Sequence, residues 1–86
     1  MSTGDVGIDE TEELCRLLEN QGETLRKYRS GAGMHKCLNI LNGIVNLVPV
    51  ARECMEDGDL DQLAEIEPLL RRLHGSACAF ISRNRL

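Results

Sequence analysis

Residues 34–57 read MHKCLNILNGIVNLVPVARECMED, and no other stretch of the 86-residue chain is as apolar. Set 100° apart, as on an α-helix, Met34, Cys37, Leu38, Ile40, Leu41, Ile44, Val45, Leu47, Val48, Val50, Ala51, Cys54 and Met55 cover an arc of about 240°. The remainder is a narrow polar strip of Asn39, Asn42, Asn46, Pro49 and Glu53. A surface helix usually needs an apolar stripe of only a little over 100°. The spacing therefore predicts a central helix covered on more than one side, either by two neighbours in a bundle or by a neighbour and another chain. Pro49 falls on the polar strip, where its freed carbonyl faces water. It marks a place for a bend around the core or for a break after Val48.

Working outward, Gly58 supplies a stop and Asp59 a cap, with Gln62 at the third helical position. So short a link makes the flanking helices an antiparallel hairpin. The third helix is expected from Leu60 to about Ser82. Its line is Leu63, Ile66, Leu70, Leu73, Ala77 and Phe80, flanked by Leu69 and Ile81, an arc of about 120°. Pro68 lies on its polar side, and is also a fit to the first position of a new helical piece. Pro49 is nine residues before Gly58 and Pro68 ten after, so the two should lie at one height and bend together. Gly43 and Gly75 also match in height, but Gly75 points away from the apolar line, so no contact between them is expected.

Upstream, Asp9 with Glu12 predicts the start of a first helix over about 9–30, and residues 1–7 read as a flexible tail. Leu14, Leu18, Gln21, Leu25 and Tyr28 form its narrow apolar edge, widened by Leu17, with Gln21 the one polar interruption. Acids open this helix and Arg26, Lys27 and Arg29 close it, matching the helix dipole. Ser30-Gly31-Ala32-Gly33 turns the chain. The fold class is thus all-α, a small antiparallel three-helix bundle in one domain, with Pro49 and Pro68 as its places to kink. A start at Met1 and a helix still running through Ser82–Leu86 suggest the N-terminal domain of a longer protein.

Composition narrows the function. One Tyr, one Phe and no Trp leave an aliphatic core, and the net charge is −4. An acidic chain poor in aromatics lacks the basic surface and stacking rings that nucleic acid needs. No run is long enough to span a membrane, and no signal peptide opens the chain. Cys15, Cys37, Cys54 and Cys78 have no CxxC pairing and read as small buried hydrophobes. The expected setting is a reducing intracellular one, cytoplasmic or nuclear. His35 and Cys37 diverge by about 200° on a helix, so they make no metal pair. No cofactor is expected, and no nucleophile stands beside a base at a telling spacing, so the chain does not read as an enzyme.

Leu73-His74-Gly75-Ser76-Ala77 resembles part of the signature of histidine phosphotransfer domains, which are helical bundles. In that family the phosphorylated histidine stands one residue before a Leu-Lys-Gly-Ser-like run. Aligned on Leu73, Gly75 and Ser76, this chain carries Arg71 at the acceptor position and His74 at the lysine position. The resemblance thus implies a signalling domain that binds partners without accepting phosphate. Composition and periodicity point instead to a non-enzymatic interaction, adaptor or dimerisation module, whose partner is another protein or a second copy. The candidate contact residues are Ile40, Leu47 and Val50 on the over-apolar helix. A basic patch of Arg71, Arg72 and His74 would suit an acidic partner.

Overall fold

The computed structural model describes residues 3–28 and 33–85. It consists of α1 (Thr3–Arg26), α2 (Met34–Asp57) and α3 (Leu60–Asn84), each packed on the other two. No strand occurs among the described residues. The chain is therefore the small all-α bundle that the periodicity predicts, 45 Å long and 22 by 17 Å across.

The α2–α3 hairpin forms where the turn chemistry placed it. Gly58 closes α2 in the left-handed region at φ 74° and donates its N–H to the Cys54 carbonyl. A side chain there would be strained. Asp59 caps α3 by accepting from the Gln62 N–H at 3.3 Å. Gln62 does not complete a capping box; its Oε1 accepts from the Cys54 thiol at 3.4 Å. The Cys54–Gln62 contact at one end and the seating of Leu73 over Gly43 further along fix the register. Pro49 then lies within a residue of level with Pro68, as expected. Both prolines are exposed, and both helices run on through them, so neither α2 breaks at Val48 nor α3 restarts at Pro68. At Gly43 α3 packs tightly: a Cβ there would come within 2.9 Å of a Leu73 methyl. Gly75 faces open space, so the two glycines do not meet.

α1 differs from expectation at both ends. It already runs at Thr3, six residues ahead of Asp9, and α-helical bonding stops at Arg26. Asp9, Glu12 and Glu13 are exposed residues within the helix rather than its first turn. Thr11, between them in the chain, is buried, so the segment is already docked there. Lys27 and Tyr28 close the helix with tighter bonds back to the Thr24 and Leu25 carbonyls. Residues 1 and 2 of the expected tail, and residues 29–32 of the expected turn, lie outside the described residues, as does Leu86.

The packed face of α1 is Thr11, Leu14, Cys15, Leu18, Gly22 and Leu25. Leu17, read as part of the stripe, is exposed instead. α2 contributes Cys37, Ile40, Ile44, Val48, Ala51 and Cys54; α3 contributes Leu63, Ile66, Leu70, Ala77 and Phe80. Burial of these side chains, at about 1.5–3 kcal/mol each for the large ones, is the main favourable term. At one end the chain's only two aromatics meet edge to face, with Tyr28 and Phe80 ring centroids 5.1 Å apart at 79°. The Gly33 N–H donates to the Tyr28 hydroxyl at 3.2 Å, tying the start of α2 to that pair. Pairings of Glu10 with Arg71 and of Tyr28 with Phe80 show that α1 and α3 run parallel, both antiparallel to α2.

Candidate docking groove

The arc of α2 is wider than its two neighbours cover. The buried side chains centre on the side facing both α1 and α3. Beyond the α1 edge of that arc, Leu38 and Val45 stand 46% and 54% exposed. Leu38, Leu41, Val45 and Pro49 succeed one another at spacings of three, four and four, a line along one side of a helix. It is about 16 Å long at the rise of an α-helix.

Next to this line α1 presents Gly22, the one residue in its packed face without a side chain. The missing side chain leaves a groove of about 490 Å³ between the two helices, floored by Gly22, Leu41, Ile44 and Val48. Val45 and Pro49 form its α2 lip, and Glu19, Asn20, Glu23 and Arg26 its α1 lip. A Cβ on Gly22 would meet Ile44 and Leu41 methyls at 3.7–3.9 Å, an ordinary van der Waals contact. Gly22 is therefore not demanded by the helix packing. Below the groove, Arg52 of α2 grips Glu19 with two nitrogens, Nε at 3.1 Å and Nη2 at 2.8 Å. So exposed a pair stabilises the bundle by only about 0.2–1 kcal/mol, but it holds the Glu19 carboxylate at the groove's edge. The lip is polar, with Glu19 and Glu23 set against Arg26 and the paired Arg52, and the floor is apolar.

The candidate contact residues fall in different places. Ile40 is a core side chain, 5% exposed, because it sits on the inner side of α2 between both neighbours; it offers nothing to a partner while the bundle is closed. Leu47 is half-buried against the core and Val50 is 39% exposed. In the hairpin register Leu47 lies level with Leu69 of α3, itself exposed. The surplus of α2 is thus split, and its larger share is on the α1 side, at Leu38 and Val45. The basic patch is weaker than its composition. Arg71 is held by Glu67 at 2.8 Å and by Glu10 of α1 at 3.6 Å. These carboxylates raise its already high pKa and largely neutralise it as a landing site. Arg72 is exposed, and His74 is half-buried, with Nδ1 3.1 Å from the Gln21 Oε1. The phosphotransfer acceptor position is thus filled by an ion-paired arginine.

Three of the four cysteines are the buried hydrophobes expected, and burial pushes the Cys15, Cys37 and Cys54 thiols up. Cys78 is the exception, exposed on α3. No group of three or more potential metal ligands occurs among the described residues. No described helix is long and apolar enough to cross a membrane. Comparison with protein-family models, with curated proteins and with solved structures finds no match.

Proposed function

We propose that this chain is a protein-interaction module that receives an amphipathic helix of another protein in the α1–α2 groove. The observation that supports this most is the uncovered line of Leu38, Leu41, Val45 and Pro49 beside Gly22. It is apolar, helix-shaped, and about as long as three turns of a docked helix. The chain's net charge selects the partner's flank. It carries 14 acidic against 10 basic residues, and Glu23 stands on the lip beside the Glu19–Arg52 pair. A docked helix with lysine or arginine beside its apolar ridge would be steered in, whereas a second copy would bring acid against acid.

The test is a titration of the isotope-labelled chain, followed by amide chemical shifts. Two synthetic leucine-ridged helical peptides serve as probes, one flanked by lysine and one by glutamate. Shifts centred on Gly22, Leu41, Ile44 and Val45 with the lysine peptide alone support the proposal. Shifts scattered over the surface, equal response to both peptides, or no response would refute it. Val45→Asp should abolish the response and leave the fold intact. The same change at Val48, which is 3% exposed, should unfold the chain, because an unpaired charge would be buried.

A further inference from the structure

The net charge of −4 conceals a sorting of charges by end. All 14 acids fall within residues 5–23 and 53–67; from Thr24 to Arg52 and from Pro68 to Leu86 the sequence has no Asp or Glu. α1 and α3 run parallel and α2 antiparallel to both, so the last turn of α1, the first of α2 and the last of α3 meet at one end of the bundle. That end presents Arg26, Lys27, Lys36, Arg83 and Arg85, all exposed. None of the five is ion-paired among the described residues, whose salt bridges go instead to Arg16, Arg52 and Arg71. Helix dipoles do not explain the sorting. Two helix C-termini and one N-terminus leave about half a negative charge at this end, against five cations. α2 even carries its charges against its own dipole, with Lys36 in its first turn and Glu56 and Asp57 in its last. Like charges gathered on an end only 22 by 17 Å across repel one another, a cost that an acidic partner removes.

A cleft of about 350 Å³ opens in this end, lined by Tyr28, Gly33, Lys36, Ala79, Phe80, Arg83 and Asn84. The Tyr28 hydroxyl accepts from the Gly33 N–H, and the Asn84 amide donates to the Phe80 carbonyl at 2.9 Å. The neutral polar side chains are thus committed, and Lys36 and Arg83 are the lining groups with donors to spare. We propose that this end binds an acidic segment of another protein, an extended run of glutamates or aspartates with one carboxylate held in the cleft by Lys36 and Arg83. An end 22 Å across takes about six extended residues. At physiological salt charges act over about 8 Å, so the end behaves as a cationic surface although the whole chain is acidic. The Tyr28 and Phe80 rings are 9% and 5% exposed, too buried for bases to stack on. A duplex or a bilayer is too broad to enter the cleft, whereas a single side chain fits. The cleft shares no residue with the α1–α2 groove, so the two sites are separate.

The test is a titration of the isotope-labelled full chain with hexaglutamate, and with hexaglutamine as the neutral control. Amide shifts centred on Lys36, Phe80 and Arg83 with hexaglutamate alone are expected, with binding that weakens as salt rises. Lys36→Gln and Arg83→Gln should each weaken it about twofold to fivefold, with an unchanged far-ultraviolet spectrum. Arg72→Gln removes an exposed cation outside this end and should leave the affinity as it was. Lys36→Gln should not lower the thermal midpoint, because it takes a cation from a helix N-terminus. Equal losses in all three variants would overturn the proposal, as would no binding of hexaglutamate at low salt or shifts centred on Gly22 and Val45. Binding of duplex DNA or phosphatidylserine vesicles where hexaglutamate fails would overturn it as well. So would oligomers that Arg83→Gln dissolves, which would give this end to a second copy. The residues that respond differ from those of the groove, so either site can fail without the other.

Discussion

Leu69 and Leu70 are adjacent on α3 and face different worlds. Leu70 is fully buried at 0% exposure, and Leu69 is 46% exposed. The same change, leucine to alanine, should therefore have unlike effects. At Leu70 it removes side-chain atoms packed among all three helices and leaves a cavity. Comparable fully buried sites lose about 3–5 kcal/mol. A chain of this length has about 4–13 kcal/mol in all, so the loss is a large share of the total. At Leu69 little packing is lost and alanine is the better helix former, so the change should stay within about 0.5 kcal/mol. Urea unfolding followed by far-ultraviolet circular dichroism separates the two. With a slope of about 1–1.5 kcal/mol per molar for so small a domain, the Leu70→Ala midpoint should fall by about 2–5 M, and the Leu69→Ala midpoint should barely move. Similar shifts for both variants, or a Leu70→Ala loss under about 1 kcal/mol, would mean that α3 does not present this face to the core.

Other consequences can be measured on the same preparation. Gly22→Ala should raise stability by about 0.5–1 kcal/mol and the thermal midpoint by about 2–8 °C, because the new methyl meets only ordinary contacts and the helix loses its glycine cost. Tyr28→Phe keeps the edge-to-face pair but removes the acceptor of the Gly33 N–H; urea unfolding should show a loss of about 0.5–1.5 kcal/mol. Burial holds the Cys15, Cys37 and Cys54 thiols above the ordinary value of 9.0. The unfolded chain therefore gives up these protons first, and the stability they contribute is complete below that pH and is lost as pH rises past it. The urea midpoint should decline through that range, and less steeply in Cys37→Val, which removes one buried thiol. Incubation with acetyl phosphate should leave His35 and His74 unmodified by mass; a phosphohistidine on either would revive the phosphotransfer resemblance.

The sequence made some of this legible and hid the rest for physical reasons. α2 and the start of α3 could be placed to the residue because Gly58 and Asp59 are strong local signals, acting through backbone conformation and capping. The core line of α3 was equally plain, since Leu63, Ile66, Leu70 and Phe80 are large and regularly spaced. The α1 line of Leu14, Leu18, Leu25 and Tyr28 is buried as read, but the stripe was widened on the wrong side. The rest of its inner side is Thr11, Cys15 and Gly22, residues too small or too polar to register as hydrophobic periodicity, while exposed Leu17 did register. The groove escaped notice for the same reason, because its floor depends on a missing side chain. Ile40 and Val45 look alike on a helical wheel of α2 alone. Only the positions of α1 and α3 decide that one is core and the other open. The Gln21–His74 contact needs the parallel register of α1 and α3, which no local pattern encodes. Gln21, an interruption in an apolar line, was the single hint.

Sedimentation equilibrium of the reduced chain over a wide concentration range bears on whether the Leu38–Val45 line is open in the free protein. A monomer at all concentrations is the outcome expected, with the chain's net charge of −4 keeping copies apart and the groove left for a basic-flanked helix. A dimer that Val45→Asp dissolves would contradict this, and would assign the groove to a second copy of the chain.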